Sequence, residues 1–165
     1  MEKKNVSAKI LVAFYSMTGN TRLISEAIAG SLDADVEEIR EKESRAGILG
    51  FLRSGYEAIF KKLPHIEPIG KNPGDYDLTI IGSPVWAGRL SSPVRSYMSS
   101  YCSKVRKVAF FTTCGIGSDK IFKQMEEISS SPIATLEVKE EEIASGNYMR
   151  KIEEFTGKLK LGSQT

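Results

Sequence analysis

With 165 residues, 41% hydrophobic and 27% charged, the chain has the composition of one soluble globular domain able to bury roughly two-thirds of its unfolded surface. A formal net charge of +2 with no dense Lys/Arg block argues against nucleic acid as a partner. Met1 to Ser7 lacks the apolar core of a signal peptide, and no apolar run approaches the ~20 residues of a membrane helix. The expectation is a cytoplasmic protein with no membrane association.

In chain order, apolar runs alternate with helical patterns. "AKILVAFYS" (8–16) is nearly continuous in apolar residues and predicts a strand buried on both faces. From Thr21, the stripe Ile24, Ala27, Ile28 and Leu32 predicts a helix. "ADVEEIRE" (34–41) reads as a shorter, more charged strand nearer an edge. "RAGILGFLRSGYEAIFKKLP" (45–64) places Ile48, Leu52, Tyr56, Ile59, Phe60 and Leu63 on one helical face. That face predicts a crossover helix packed on the sheet, with a lid or docking element as the alternative. "YDLTIIGSP" (76–84) and "KVAFFTTC" (107–114) are two further buried strands. Each precedes a helix, one with the face Val94, Tyr97, Met98, Tyr101 and one with Ile121, Phe122, Met125, Ile128. Ser92-Pro93 and Ser118-Asp119 read as their caps. "IATLEV" (133–138) is a fifth strand, and Tyr148, Ile152, Phe155 and Leu159 mark a closing helix.

Five strands alternating with helices imply one α/β domain over 1–165, its core at about 8–160. The sheet is parallel and covered by helices on both faces. Ligands of such sheets bind beyond the carboxyl ends of the strands. Three loops fall there: "SMTGNT" (16–21), "SPVWAGRLSS" (83–92) and "TTCGIGSD" (112–119).

Hydrolytic and metal chemistry lack residues. Cys102 and Cys114 make neither a disulfide framework nor a four-ligand zinc site. The single histidine, His65, stands between two prolines in "LPHIEP", where a surface position is the simpler reading. A Ser-His-Asp or Cys-His mechanism would depend on it alone. No catalytic residue and no metal ligand is assigned.

"SMTGNT" offers more. A strand-to-helix turn presents successive backbone N–H groups backed by the helix dipole. Gly19 lets the turn tighten, and Ser16, Thr18, Asn20 and Thr21 add side-chain donors. Such a turn can cradle a phosphate without a lysine; a plain turn with a Thr/Asn cap is the alternative. The spacings of a P-loop and of G-x-G-x-x-G are absent. "CGIGSDK" nearly matches a phosphatase Cys-x5-Arg motif but ends in Lys120 and follows the fourth strand. In "GSPVWAG", the only tryptophan, Trp86, sits at the ligand edge of the sheet, where an exposed indole would stack on a planar ring; a core position is the alternative. The glycines of "TTCGIGSD" would let backbone pass close to a ring edge.

These three stretches, in this order, resemble the flavodoxin family. "SMTGNT" is similar to the signature [ST]-x-T-G-x-T, and "GSPVWAG" to the tryptophan-bearing flavin loop of flavodoxin-like proteins. The resemblance implies a flavodoxin-like fold with five parallel strands in the order 2-1-3-4-5, binding FMN non-covalently. Carried over by position, Ser16, Met17, Thr18, Gly19, Asn20 and Thr21 would hold the phosphate. Pro84, Val85, Trp86, Ala87 and Gly88 would flank the isoalloxazine, and Thr113, Cys114, Gly115 and Gly117 its other edge. The chain departs from many acidic flavodoxins in its pI of about 8.5, in lacking a third-loop tyrosine, and in its long crossover. The implied function is electron transfer with a redox partner protein. An FMN-dependent NAD(P)H:quinone-type reductase is the alternative, although no nicotinamide-binding motif is present.

Overall fold

β1 (Ile10–Phe14), β2 (Asp35–Glu38), β3 (Leu78–Trp86), β5 (Val108–Cys114) and β6 (Thr135–Lys139) form a parallel sheet in the order β2-β1-β3-β5-β6. This is the expected arrangement of the five main strands. One strand is additional: β4 (Arg89–Leu90) folds back antiparallel on the end of β3, setting Trp86 opposite Arg89. The structure is a computed structural model and describes residues 8–43 and 47–162. The Met1–Ser7 lead-in, and Arg45 and Ala46 of the crossover segment, lie outside them.

Parallel neighbours need crossovers, and helices supply them. They are α1 (Asn20–Leu32), α2 (Gly47–Ile59), α3 (Ser92–Tyr101), α4 (Asp119–Ile128), α5 (Glu140–Ser145) and α6 (Tyr148–Gly162). The period of two along each strand divides the core. Val12, Phe14, Ile80 and Phe111 point toward α1 and α6, where Ile24, Ile28, Ile152 and Phe155 meet them. Ala13, Ile81 and Phe110 point the other way, toward Val94, Tyr97 and Met98 of α3 and Ile121 and Met125 of α4. Both faces are buried, which is why the strands read as continuous apolar runs. Each fully buried Ile or Phe contributes about 1.5–3 kcal/mol.

α2 departs from expectation. Its long apolar face points outward: Ile48, Leu52, Tyr56, Ile59, Phe60 and Leu63 are exposed, as are Leu49 and Phe51. The side turned to the protein is Gly50, Ser54, Glu57 and Ala58. Small residues on that side allow a close approach, and a Cβ added at Gly55 would lie 3.9 Å from the Ala87 Cβ. The Glu57 carboxylate then accepts hydrogen bonds from Ser92 Oγ at 3.0 Å and Arg53 Nε at 2.7 Å, pinning α2 to the start of α3. Among the described residues no helix is long and apolar enough to cross a membrane.

Candidate functional site

The three expected loops converge at the carboxyl ends of β1, β3 and β5. In the first, Gly19 is the N-cap of α1, with a left-handed φ of 101° and open space where a Cβ would stand. Its N–H donates to Ser16 Oγ at 3.1 Å, which folds the turn around residues 16–19. The intrahelical ladder begins with Leu23 N–H bonding to Gly19 C=O. The amides of Asn20, Thr21 and Arg22 therefore have no carbonyl within the helix. No side chain caps this end, and its first turn carries no acid. Thr18 is exposed, and Ser16, Met17 and Asn20 are half-buried around the same point. The result is a concentration of donors at the positive end of a thirteen-residue helix, with no protein acceptor assigned to it. An oxyanion fits this turn.

The second loop is a two-residue hairpin between β3 and β4. Ala87 (φ 49°) and Gly88 (φ 68°) both take left-handed backbone, as a type I′ turn requires, and both are exposed. A hydroxyl cluster anchors its base. Ser83 Oγ and Ser91 Oγ lie 2.9 Å apart, and the Ser91 N–H also points to Ser83 Oγ at 3.4 Å. Ser91, one residue earlier than expected, is the N-cap of α3, and Ser92 gives its hydroxyl to Glu57.

In the third loop, Thr113 and Cys114 are buried, whereas Gly115, Ile116 and Gly117 form an exposed crest. Ser118, the N-cap of α4, donates its N–H to Glu137 Oε2 at 2.6 Å, and its hydroxyl binds the same oxygen. Burial, then the nearby Glu137 charge, pushes the Cys114 thiol up to about 11, so it keeps its proton at neutral pH. Between the hairpin and this loop opens a cavity of about 490 Å³ lined by Ala87, Gly88, Arg89, Gly117, Lys120 and Gln124, among others.

A family model described as flavodoxin matches residues 9–151. The chain belongs to the flavodoxin family. Solved structures of this architecture include a flavoprotein from Lactobacillus acidophilus in complex with FMN. It is 24% identical, has a TM-score of 0.69, and the match covers 84% of this chain and 97% of that one. The two-electron reduced flavodoxin of Megasphaera elsdenii is 19% identical at a TM-score of 0.55, with 90% of this chain and 98% of that one covered. Oxidised flavodoxin 1 of Bacillus cereus is 18% identical at 0.51, over 92% and 96% of the two chains. No curated protein matches the chain.

On the flavodoxin frame, the residues singled out in the sequence separate into two sets. Ser16, Met17, Thr18, Gly19, Asn20, Pro84, Val85, Ala87, Gly88, Gly115 and Gly117 lie exposed or half-buried on the three loops. Trp86, Thr21, Thr113 and Cys114 do not. Trp86 is 7% exposed and belongs to the core, its ring edge-on to Tyr15 with centroids 5.5 Å apart. The expected exposed stacking platform is therefore corrected. Trp86 ends β3 and is not at the tip of a loop, and its indole packs in the core against Tyr15. Thr21 and Thr113 are buried and share a 2.8 Å hydrogen bond, so their hydroxyls brace α1 against β5 and do not face the loops. Thr21 retains only its backbone N–H as a donor to a ligand. The lone histidine, His65, is exposed, as expected.

Ile116, Arg89, Lys120 and Gln124 were not found by sequence reasoning. Ile116 is 90% exposed at the crest of the third loop. An apolar residue between two loop glycines was the available signal. Nothing local marked the other three.

Proposed function

We propose that the protein binds FMN non-covalently and carries electrons to or from a redox partner protein in the cytoplasm. The uncapped, acid-free start of α1 carries this reading. Backbone amides of Asn20, Thr21 and Arg22, with the hydroxyls of Ser16 and Thr18, would hold the FMN phosphate, each charge-assisted bond contributing about 1.5–3 kcal/mol. The fold agreement with an FMN-bound flavoprotein supports it. The hairpin tip at Ala87-Gly88 and the crest at Gly115 and Gly117 would flank the ring, with exposed Ile116 beside it. Trp86 and Tyr15 would stiffen the hairpin from beneath, and Cys114, protonated and buried, would only pack. When bound, FMN supplies the one- and two-electron chemistry, for which this chain need only bind and orient it.

The cavity beside the hairpin favours a second reading, a reductase that admits a small substrate next to the ring. The tests are direct. Purified protein is expected to be yellow or to turn yellow with FMN, and equal affinity for FMN and riboflavin would end the phosphate reading. NAD(P)H oxidation by the FMN-loaded protein, with and without quinone, separates carrier from reductase.

A further inference from the structure

From Ile48 to Leu63, eight large apolar side chains of α2 and the turn after it stand 46% to 82% exposed. A large side chain offers roughly 150–250 Å² when bare, so together they present on the order of 1,000 Å² to solvent. The largest apolar patch of an ordinary monomer is about 300–600 Å². Tyr56 and Phe60 already pack on each other, with ring centroids 4.6 Å apart, yet both stay exposed. Clustered aromatics of this kind anchor interfaces.

The charges of this segment leave the face free to be covered. Four charged residues lie in 47–63: Arg53, Glu57, Lys61 and Lys62. Arg53 binds Glu57 and Glu43, and the Glu57 carboxylate turns inward to Ser92. The two lysines are exposed at the far end, just after the last helical residue. Covering the middle of α2 therefore strands no unpaired charge, as the core of an interface requires.

Size and composition decide what covers it. Weak electron-transfer encounters bury less than about 1,200 Å² in total, and transient interfaces are no more apolar than surface at large. A face this apolar, bared each time such a partner left, would aggregate. A stable interface takes about 800 Å² from each partner, and the apolar ones join permanent subunits. A second copy of the chain is the one partner always present with it, and two-fold pairing is the commonest arrangement.

We propose that α2 is the centre of a two-fold interface between two copies of this chain, with the two helices antiparallel. Antiparallel order carries Lys61 and Lys62 of each copy to opposite ends, toward the start of the other helix, where Glu43 is exposed. Parallel order would gather four lysines at one end, a like-charge contact that disfavours it. By symmetry Tyr56 lies near the axis against its counterpart, and Leu52 meets Phe60. The opposite side of α2 faces the hairpin and the first loop, through Gly55 beside Ala87 and Ser54 beside Met17. The interface is therefore separable from the FMN reading.

Sedimentation velocity on the purified chain, with and without FMN, is expected to give twice the 18.2 kDa chain mass at micromolar concentration. Leu52→Glu and, separately, Phe60→Glu set a charge in the middle of the face and should raise the dimer Kd about thirtyfold or more. Both side chains are exposed within one copy, so each variant should keep the native circular dichroism. Tyr56→Cys should give a disulfide-linked dimer on mild oxidation; both native cysteines are buried, so the link reports the new thiol. A chain that stays monomeric at tens of micromolar overturns the proposal. So does a dimer that both glutamate variants leave intact, because another surface then joins the copies. A monomer that floats with anionic phospholipid vesicles overturns it too, since the face is then a membrane contact. If a glutamate variant fails to fold, the absence of a Tyr56→Cys cross-link in folded protein overturns it alone.

Discussion

Two strand-to-helix turns in this molecule share one plan and differ in what fills them. After β1, the chain enters α1 through a left-handed Gly19, no side chain caps the helix start, and its first turn carries no acid. After β5, it enters α4 through Ser118, whose N–H and hydroxyl both go to Glu137. A helix N-terminus attracts negative charge in either case. At α4 the protein supplies that charge from β6 and completes a structural joint. At α1 it supplies none, and the donors stay available to a ligand. A helix start therefore becomes a binding site when its own fold withholds the counter-charge.

Four measurements break or sharpen that contrast. The largest effect concerns the ligand. Removing its phosphate should cost several charge-assisted bonds at α1, so riboflavin is expected to bind at least about a hundredfold more weakly than FMN by fluorescence titration. Next comes the filled turn. Glu137→Ala strands the buried Ser118 donors and should lower stability by about 1–3 kcal/mol, read as a lower urea midpoint at constant m, with FMN affinity retained. A loss of FMN affinity with unchanged stability would reverse the roles of the two turns. Thr18→Ala is the counterpart at α1. It should weaken FMN about tenfold, one donor's worth, while the exposed position leaves the denaturation curve in place.

The smallest effect is a pH dependence near the third loop. Cys114 has its thiol raised to about 11 by burial, so the native state holds that proton more tightly than the unfolded chain does. Its contribution to stability is complete below the ordinary thiol value and is lost as pH rises through about 11. Unfolding temperature should fall over that alkaline range, less steeply in Cys114→Ser, and native protein should resist iodoacetamide at pH near 8. Rapid alkylation of Cys114 in the folded state would show an accessible thiolate and restore the case for a reactive cysteine.

The helices show how far sequence reasoning carried. α1 and α2 both announce themselves through an apolar stripe. In α1 the stripe is the buried side, with Ile24 and Ile28 in the core; in α2 it is the outer side, with Leu49 82% exposed. Periodicity identified both as helices but could not tell which face meets the protein. The seat of α2 is set by Glu57 finding Ser92, 35 residues away. Trp86 failed for a related reason. Its place at the ligand edge was correct, but β3 continues through it and gives its ring to the core.

By itself the sequence determined the five main strands and the helices that cover them, but not every end. Continuous apolar runs specified strands covered on both faces, stripes specified helices, and the turn residues placed three loops at one edge. These are local properties, written in periods of two and 3.6 residues. Tertiary structure alone decided which polar groups meet. Thr21 pairs with Thr113 across 92 residues, Glu137 closes α4, and Gln124 of α4 accepts from Arg95 of α3. Those pairings are long-range, because a buried polar group takes whichever partner the packed helices bring within about 3 Å.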